Sequence, residues 1–174
     1  QTDLDNLFSP RSIAIIGVSQ AGFGLGGASY MKKLLDSRYG GTIYPINPKG
    51  GEAYGHKIYQ NLQALPEVPD FAIVCISAAH IPGVLKDCEA IGLKHIHILA
   101  SGFSELGTKD GVDLENQIAS FSKEAGLRVV GPNCMGTYCP GHRLTAWGAI
   151  PGFPGPVGII SQSGGITQRL TEYV

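Results

Sequence analysis

Two glycine- and serine-rich segments of this chain have the composition of loops that bind anions. The first, GVSQAGFGLGG (residues 17–27), follows an apolar run and precedes a helical pattern, and the second, SQSGG (161–165), is flanked in the same way. Small residues let backbone N–H groups approach a phosphate, and the following helix directs its positive end at it. Ser161 and Ser163, beside Gly164, offer such donors, although ordinary helix capping explains them equally well. The pattern predicts two phosphate-binding loops.

The first loop differs in two ways from the pattern that binds nicotinamide dinucleotides. A G-x-G-x-x-G motif needs glycine at position 19, where this chain has Ser19. Nicotinamide-binding folds also place a carboxylate at the end of the second strand, whereas the corresponding segment here is Asn47-Pro48-Lys49. A lysine there favours a ligand with an additional phosphate, such as NADP or the 3′-phosphorylated adenosine of coenzyme A. The alternatives are a solvated lysine in a turn and a glycine loop that is only a tight turn.

Histidine and cysteine do not form a motif typical of metal binding or nucleophilic catalysis. The four cysteines include no C-x-x-C pair, which favours free thiols over disulfides. His95 and His97 share one face of a predicted strand, where we interpret them as polar residues of a half-covered sheet and not as metal ligands. His142, in CPGHRLTAW, is assigned no role. The sequence therefore predicts no metal site.

Alternating strands and helices must position the two loops. Apolar runs predict strands at 12–18, 42–47, 70–76, 95–100 and 127–131, and helical spacing predicts helices at 27–38, 77–92 and 110–126. Such alternation builds right-handed βαβ units and a Rossmann-like, doubly wound parallel sheet of the α/β class. Pro45 places the second strand near a sheet edge, and Ser77 is a candidate cap for the second helix.

The alternation stops after residue 136. Residues 138–156 are rich in proline and glycine and predict an irregular crossing segment, after which VGIISQSGG begins a strand, loop and helix again. A single strand and helix cannot bury a core. We therefore expect one domain at 1–150, a linker at 151–156 and the incomplete beginning of a second, flavodoxin-like α/β domain at 157–174.

The composition is that of a globular domain with a sizeable core. Of the 174 residues, 43% are hydrophobic and 16% charged, and the formal net charge is −1. Because no basic run exceeds Lys32-Lys33, we expect no nucleic-acid partner and no electrostatic attachment to a membrane. No apolar stretch approaches the roughly 20 residues that span a bilayer. Without the features of a signal peptide at the N-terminus, the expected location is cytoplasmic.

Six segments, in this order along the chain, together resemble a known family. They are LFSPRSIAIIGVS, YPINPKGG, PDFAIVCISAAHIPGVLKDC, SGFSE, RVVGPNCMG and GPVGIISQSGG. They are similar to the N-terminal CoA-binding domain of NDP-forming acyl-CoA synthetases, which include ADP-forming acetyl-CoA synthetase and the alpha subunit of succinyl-CoA synthetase. Each segment alone is weakly specific, but the ordered set covers almost the whole chain. The resemblance implies a domain that binds coenzyme A across the carboxyl ends of its parallel strands.

The resemblance also implies a set of coenzyme A contacts, assigned by position in the matching motifs. The loop after the first strand would receive phosphate groups, and the turn after the second would supply a basic contact. The ends of the third and fourth strands would line the nucleotide and the pantetheine arm, and the GPNC turn would lie near the thiol. These residues are Gly17, Val18, Ser19, Gln20, Gly26, Gly27, Pro48, Lys49, Ile76, Ser77, Ala78, Ala100, Ser101, Gly102 and Asn133, with Ser161, Ser163 and Gly164 as phosphate contacts.

The family interconverts acyl-CoA, NDP and phosphate with acid, CoA and NTP through an acyl phosphate and a phosphohistidine. The matching histidine would lie beyond Val174, and Mg²⁺ and the ADP/ATP or GDP/GTP pair would bind to further domains or a beta subunit. We therefore expect this chain to bind coenzyme A without turnover. Ala100-Ser101 replaces a Thr-Glu pair of the succinyl enzyme, and Gln168 replaces a tyrosine, which argues against succinate. Two hypotheses remain beside it: a stand-alone regulatory module that binds CoA or a nucleotide, and an NADP-dependent oxidoreductase.

Overall fold

A computed structural model of the chain describes residues 4–19, 26–145, 153–171 and 173. Helices and strands alternate along most of this length. In chain order they are α1 (Asp5–Phe8), β1 (Ser12–Ile16), α2 (Gly27–Asp36), β2 (Thr42–Ile46), β3 (Glu52–Ala53), β4 (His56–Lys57), β5 (Phe71–Val74), α3 (Ile81–Ile91), β6 (His95–Ile98), α4 (Lys109–Glu124), β7 (Arg128–Val130) and α5 (Gly164–Leu170).

Five strands form one parallel sheet in the order β2-β1-β5-β6-β7, and β3 pairs with β4 in a separate antiparallel hairpin. The chain passes from β1 outward to β2 and then back across β1 to β5, so its winding direction reverses between β1 and β5. At such a reversal the loops diverge and leave a crevice at the carboxyl ends of the strands. The predicted Rossmann-like α/β fold is confirmed, and Pro45 lies in an edge strand as predicted.

The core lies on both faces of this sheet because side chains alternate along a strand. Ile13 and Ile15 belong to the same buried cluster as Leu34 of α2, whereas Ala14 and Ile16 belong to the cluster that contains residues of α3 and α4. All five residues of β1 are buried. A strand covered on both faces needs an unbroken apolar run, which is the pattern from which it was predicted.

Three local predictions are wrong. Ser77 does not cap a helix through its side chain, because residues 78–80 form a 3₁₀ turn and α3 begins only at Ile81. Residues 157–160, predicted as a strand, are outside any strand and largely exposed, since no neighbouring strand pairs with them within the described ranges. His95 and His97 are buried, not half-covered, because β6 is an interior strand between β5 and β7.

Other global expectations can be compared with the described residues. All four cysteines are free, as predicted. In the described ranges no cluster of three or more histidine, cysteine or acidic side chains is arranged to hold a metal ion. None of the helices described is both long and apolar enough to cross a bilayer.

Arg11 and Asp70 join the amino ends of β1 and β5. The Arg11 backbone N–H and guanidinium donate three hydrogen bonds of 2.9–3.1 Å to the Asp70 carboxylate. Hydrogen bonding from this guanidinium is the main reason that the pKa of Asp70 lies below its ordinary value. The pair joins two neighbouring strands at their amino ends. The opposite end of the sheet, where the carboxyl ends of the five parallel strands lie, is called the carboxyl edge below.

We expect Asp70→Asn to lower the free energy of unfolding at pH 7 by about 1 kcal/mol, because it weakens charge-assisted hydrogen bonds. A carboxyl group whose folded-state pKa is lowered stabilises the protein above its unfolded pKa of about 4 and loses this contribution as the pH falls through the folded value. Urea denaturation at pH 7 and pH 3 should therefore show a smaller difference between wild type and variant at pH 3.

The matched control is Asp113→Asn, which removes an exposed (i, i+4) pair with Lys109. Its expected effect at pH 7 is below about 0.5 kcal/mol. A difference for Asp70→Asn that is the same at both pH values would contradict the role given to this carboxylate.

Candidate functional site

The loop after β1 is held by close backbone contacts. Gly17 has φ +97°, and a Cβ there would overlap the carbonyl oxygen of Cys75 at the end of β5. The N–H groups of Gly17 and Val18 both donate to the Ile46 carbonyl, at 2.9 and 3.1 Å. A Cβ on Gly27 would lie 2.8 Å from the Gly17 carbonyl oxygen, so α2 begins directly against the loop. Gly17, Gly27 and the buried Val18 thus shape the crevice between β1 and β5.

The start of α2 can face a ligand. Gly26 is its N-cap residue, and no side chain caps the helix within the described part of the chain. A Cβ on Gly26 would meet no atom of the described residues within 4 Å. Uncapped N–H groups at a helix start, together with the helix dipole, attract an anion. Ser19 lies exposed in the same loop, and Gln20 falls outside the described residues.

The turn after β2 presents a basic side chain to solvent. The Asn47 side chain accepts a hydrogen bond of 3.0 Å from the Lys49 N–H, and the Asn47 carbonyl accepts one of 2.9 Å from the Gly50 N–H. This Asx-type turn exposes Pro48 and Lys49. Among the described residues no carboxylate forms an ion pair with Lys49. Its positive charge is therefore available to an anionic ligand at the β2 end of the sheet.

The segments that follow β5 and β6 touch each other at the carboxyl edge. A Cβ on Gly102 would lie 3.0 Å from the Ala78 Cβ. Ser77 and Ser101 are exposed, while Ile76 and Ala100 are half-buried. The two predicted contact segments therefore adjoin each other, with half-buried apolar residues and two exposed serines.

Glu105 orders the loop after β6, a role that the sequence analysis did not assign. The N–H groups of Gly102 and Phe103 donate to its two carboxylate oxygens, at 2.6 and 3.1 Å. The bond from Gly102 is the main reason that the pKa of Glu105 lies below its ordinary value. Ser104 donates its N–H to Glu115 in a similar bond of 3.0 Å. The sequence did contain a signal for this role: Glu105 follows Gly102 by three residues, which is the spacing of the acidic residue in a helix capping box.

These bonds decide what the loop can offer a ligand. Because the N–H groups of Gly102, Phe103 and Ser104 are used by the protein's own carboxylates, they are not open donors for a phosphate. The exposed hydroxyl of Ser101 is then the polar side chain of this segment that can face a ligand.

The turn 131–136 connects the end of β7 to the rest of the edge. The Asn133 N–H donates to the Ala100 carbonyl at 2.8 Å, and the Asn133 side chain is exposed. A Cβ on Gly164 would overlap the Met135 side chain, so α5 begins on this turn. The second glycine-serine loop therefore ends against Met135, in the same turn as Asn133.

Ser163 caps α5 by accepting the Ile166 N–H at 3.3 Å, which is the alternative that the sequence left open beside a phosphate contact. The Ser161 hydroxyl accepts the Ser163 N–H at 3.1 Å. Both hydroxyl groups are thus engaged within the loop itself. The backbone N–H groups at the start of α5, those of Gly164 and Gly165, are the donors that could face the predicted phosphate.

Cys75 lies at the centre of the edge, where β5 meets the Gly17 loop. Burial raises the pKa of its thiol to about 12. A thiol of this kind stays protonated at neutral pH and is a poor nucleophile. The carboxyl edge therefore offers groups that can bind a ligand, such as the start of α2 and Lys49, but Cys75 does not supply a nucleophile.

Comparison with known proteins shows the family to which the chain belongs. Residues 11–140 match the family model described as a CoA binding domain. The chain belongs to this family of CoA-binding domains. Every coenzyme A contact assigned from the sequence, from Gly17 to Asn133, lies within the matched range, whereas the SQSGG loop lies after it.

The CoA-binding domain is also similar to longer ligases. It is 38% identical over 168 residues to the alpha subunit of ADP-forming acetate–CoA ligase I of Pyrococcus furiosus. The aligned residues cover 94% of this chain and 36% of that protein. It is 37% identical over 172 residues to the ADP-forming acetate–CoA ligase of Methanocaldococcus jannaschii, with coverage of 98% and 23%.

A solved structure gives the same result. The dinucleotide-forming acetyl-coenzyme A synthetase 1 of Candidatus Korarchaeum cryptofilum, in complex with phosphate and ADP, superposes with a TM-score of 0.80 and 30% identity. The match covers 98% of this chain and 36% of that one. The predicted resemblance to the CoA-binding part of NDP-forming acyl-CoA synthetases is confirmed. The chain spans 36% or less of these three relatives.

Proposed function

We propose that this chain binds coenzyme A across the carboxyl edge of its sheet and belongs to a larger NDP-forming acyl-CoA synthetase, an acid–thiol ligase. The observation that carries the proposal is the placement of two anion-attracting groups on one edge. The start of α2, which no described side chain caps, lies at the reversal between β1 and β5. Lys49, which forms no ion pair with a described carboxylate, lies at the β2 end. Coenzyme A carries both a pyrophosphate and a 3′-phosphate, which these two groups would bind.

The phosphate contacts follow from this arrangement. Ser19, Gln20 and the Gly26-Gly27 start of α2 would bind the pyrophosphate, with Gly17 and Val18 shaping the loop beneath it. Pro48 and Lys49 would bind the 3′-phosphate, because the turn directs them outward.

The remaining contacts would carry the pantetheine arm. Segments 76–78 and 100–102 meet along the edge and would line it, and Asn133 would lie near its thiol end. Ser161, Ser163 and Gly164 would bind a phosphate group beside that thiol, since α5 begins on the turn 131–136.

The chain's part in the reaction would be to bind coenzyme A and direct its thiol at the acyl group. The phosphohistidine, Mg²⁺ and the ADP/ATP or GDP/GTP pair would be supplied by further domains or a beta subunit, so the chain alone would bind without turnover. Four free cysteines favour a reducing compartment such as the cytoplasm.

Lys49→Ala tests the proposal by isothermal titration. We expect about a tenfold weaker affinity for coenzyme A, because one charge-assisted contact to the 3′-phosphate is lost. The affinity for dephospho-CoA, which lacks that phosphate, should not change. Lys94→Ala removes an exposed lysine at the amino end of β6 and should bind coenzyme A like the wild type.

Three outcomes would contradict the proposal. They are no binding of either ligand to the wild-type chain, an unchanged affinity of Lys49→Ala for coenzyme A, and tighter binding of NADPH than of coenzyme A. NADPH is included because its 2′-phosphate also suits a lysine at the end of β2, and tighter binding would favour the oxidoreductase hypothesis.

A further inference from the structure

His97 is a buried histidine directly beneath the carboxyl edge. It lies on the interior strand β6 with 0% of its surface exposed. Its Nε2 is 2.7 Å from the carbonyl oxygen of Cys134, the residue after Asn133. A carbonyl accepts and does not donate, so Nε2 carries the proton and the other ring nitrogen, Nδ1, is an acceptor. Burial lowers the pKa of His97 to about 4, and the ring is therefore neutral at pH 7.

Tyr30, on the first turns of α2, faces the other side of this imidazole. The two ring centroids are 5.8 Å apart, and the planes are tilted by 54°. Within the described part of the chain neither the Tyr30 hydroxyl nor His97 Nδ1 has a hydrogen-bond partner, and both atoms are buried. A buried polar group without a partner is costly, so a donor and an acceptor that both lie beside Gly136 are expected to be joined through a water molecule.

Gly136 lies close to both polar atoms. A Cβ at this position would lie 2.8 Å from the Tyr30 hydroxyl oxygen and 3.0 Å from His97 Nδ1. The residue also has φ +101°, which side chains rarely adopt. Only glycine lets the backbone of the turn pass this close to both side chains, and turn 131–136, His97 and α2 are therefore packed as one unit.

We propose that His97, together with Tyr30, is a positioning residue that fixes turn 131–136 at a set distance from α2. The inference rests on the proposed function, in which α2 receives the coenzyme A phosphates and Asn133 lies at the thiol end. Three hydrogen bonds among the described residues join the turn to β6 and the residues after it: Asn133 N–H to the Ala100 carbonyl, His97 to the Cys134 carbonyl at 2.7 Å, and a longer one of 3.5 Å from the Cys134 N–H to the Ile98 carbonyl. Losing the second would let the thiol end of the site move while the phosphate end stays in place.

His97→Leu and His97→Gln separate positioning from general structural damage. Leucine removes the donor to Cys134, whereas glutamine offers an amide N–H in its place. For His97→Leu we expect an affinity for coenzyme A lower by about tenfold, a loss of one buried hydrogen bond. The affinity for adenosine 3′,5′-bisphosphate, which reaches only the phosphate end, should stay within about twofold of wild type, and His97→Gln should recover most of the coenzyme A affinity.

Tyr30→Phe keeps the ring packing and serves if the leucine variant does not fold. It should weaken coenzyme A binding but not binding of the bisphosphate. Nitrogen-15 NMR of the imidazole in the wild-type chain should show the tautomer protonated at Nε2, whether or not a ligand is present.

The outcomes distinguish the inference from the proposed function. A wild-type chain that binds neither ligand would overturn the proposed function and, with it, this role. In a chain that binds coenzyme A, unchanged affinity of both His97→Leu and Tyr30→Phe would overturn the positioning role alone. Equal losses for both ligands, or a tautomer protonated at Nδ1, would overturn it as well.

Discussion

Gly17→Ala is expected to lower the free energy of unfolding by about 3 kcal/mol, since two penalties combine. A side chain at a positive φ costs about 1–2 kcal/mol, and Gly17 has φ +97°. The new Cβ would also overlap the Cys75 carbonyl oxygen and lie 2.9 Å from Ile76 Cγ2. Both neighbours directly follow β5, where the Cys75 N–H is hydrogen-bonded to the Ile16 carbonyl of β1, and such overpacking costs about 1–3 kcal/mol.

The same substitution should weaken coenzyme A binding, because it forces β1 and β5 apart where the phosphate loop begins. Urea denaturation and titration with coenzyme A measure the two effects. The matched control is Gly83→Ala in α3, where a Cβ meets nothing within 4 Å. It should be neutral or more stable by up to about 1 kcal/mol, because alanine is the better helix former. A loss below about 1 kcal/mol for Gly17→Ala would contradict the close packing described here.

Features of the fold that depend on neighbouring residues in the chain could be predicted from the sequence. β1 was predicted from an unbroken apolar run, and Pro45 correctly indicated an edge strand because proline cannot donate to a ladder. A helix cap at Ser163 was one of the two interpretations of SQSGG, and it requires only a backbone N–H three residues later. In each case the sequence pattern that indicates the feature spans only a few consecutive residues.

Features that depend on tertiary contacts could not be predicted in the same way. The alternation of β6 placed His95 and His97 on one face, but it did not show that α2 and turn 131–136 cover that face. The apolar run at 157–160 predicted a strand, yet a strand also needs a neighbour to pair with. For the candidate site, the order of the motifs predicted which segments lie along the carboxyl edge. It did not predict which of their backbone N–H groups remain open to a ligand. That difference arises because Glu105 and Ile46 use several of the N–H groups.

Phe103 shows how the core positions the site. It directly follows Gly102, is 0% exposed, and belongs to the buried cluster that includes Ile98 and Ile118 of α4. Its carbonyl lies so close to Gly111 that a Cβ on that glycine would overlap it, so α4 and the loop are tightly packed. The side chain therefore anchors the segment 100–102 on which the pantetheine arm would rest.

Phe103→Ala is accordingly expected to lower the free energy of unfolding by about 4 kcal/mol, the usual cost of a cavity left by a buried aromatic ring. Phe103→Leu refills most of the volume and should cost about 1–2 kcal/mol. The same change at Phe153, which is 85% exposed, should stay within about 0.5 kcal/mol of wild type. Urea denaturation measures all three, and similar losses for Phe103→Ala and Phe153→Ala would show that Phe103 does not anchor the loop. Burial of Phe103 thus fixes where the loop lies against the core. The hydrogen bonds to Glu105 then need to fix only the backbone conformation of residues 102 and 103.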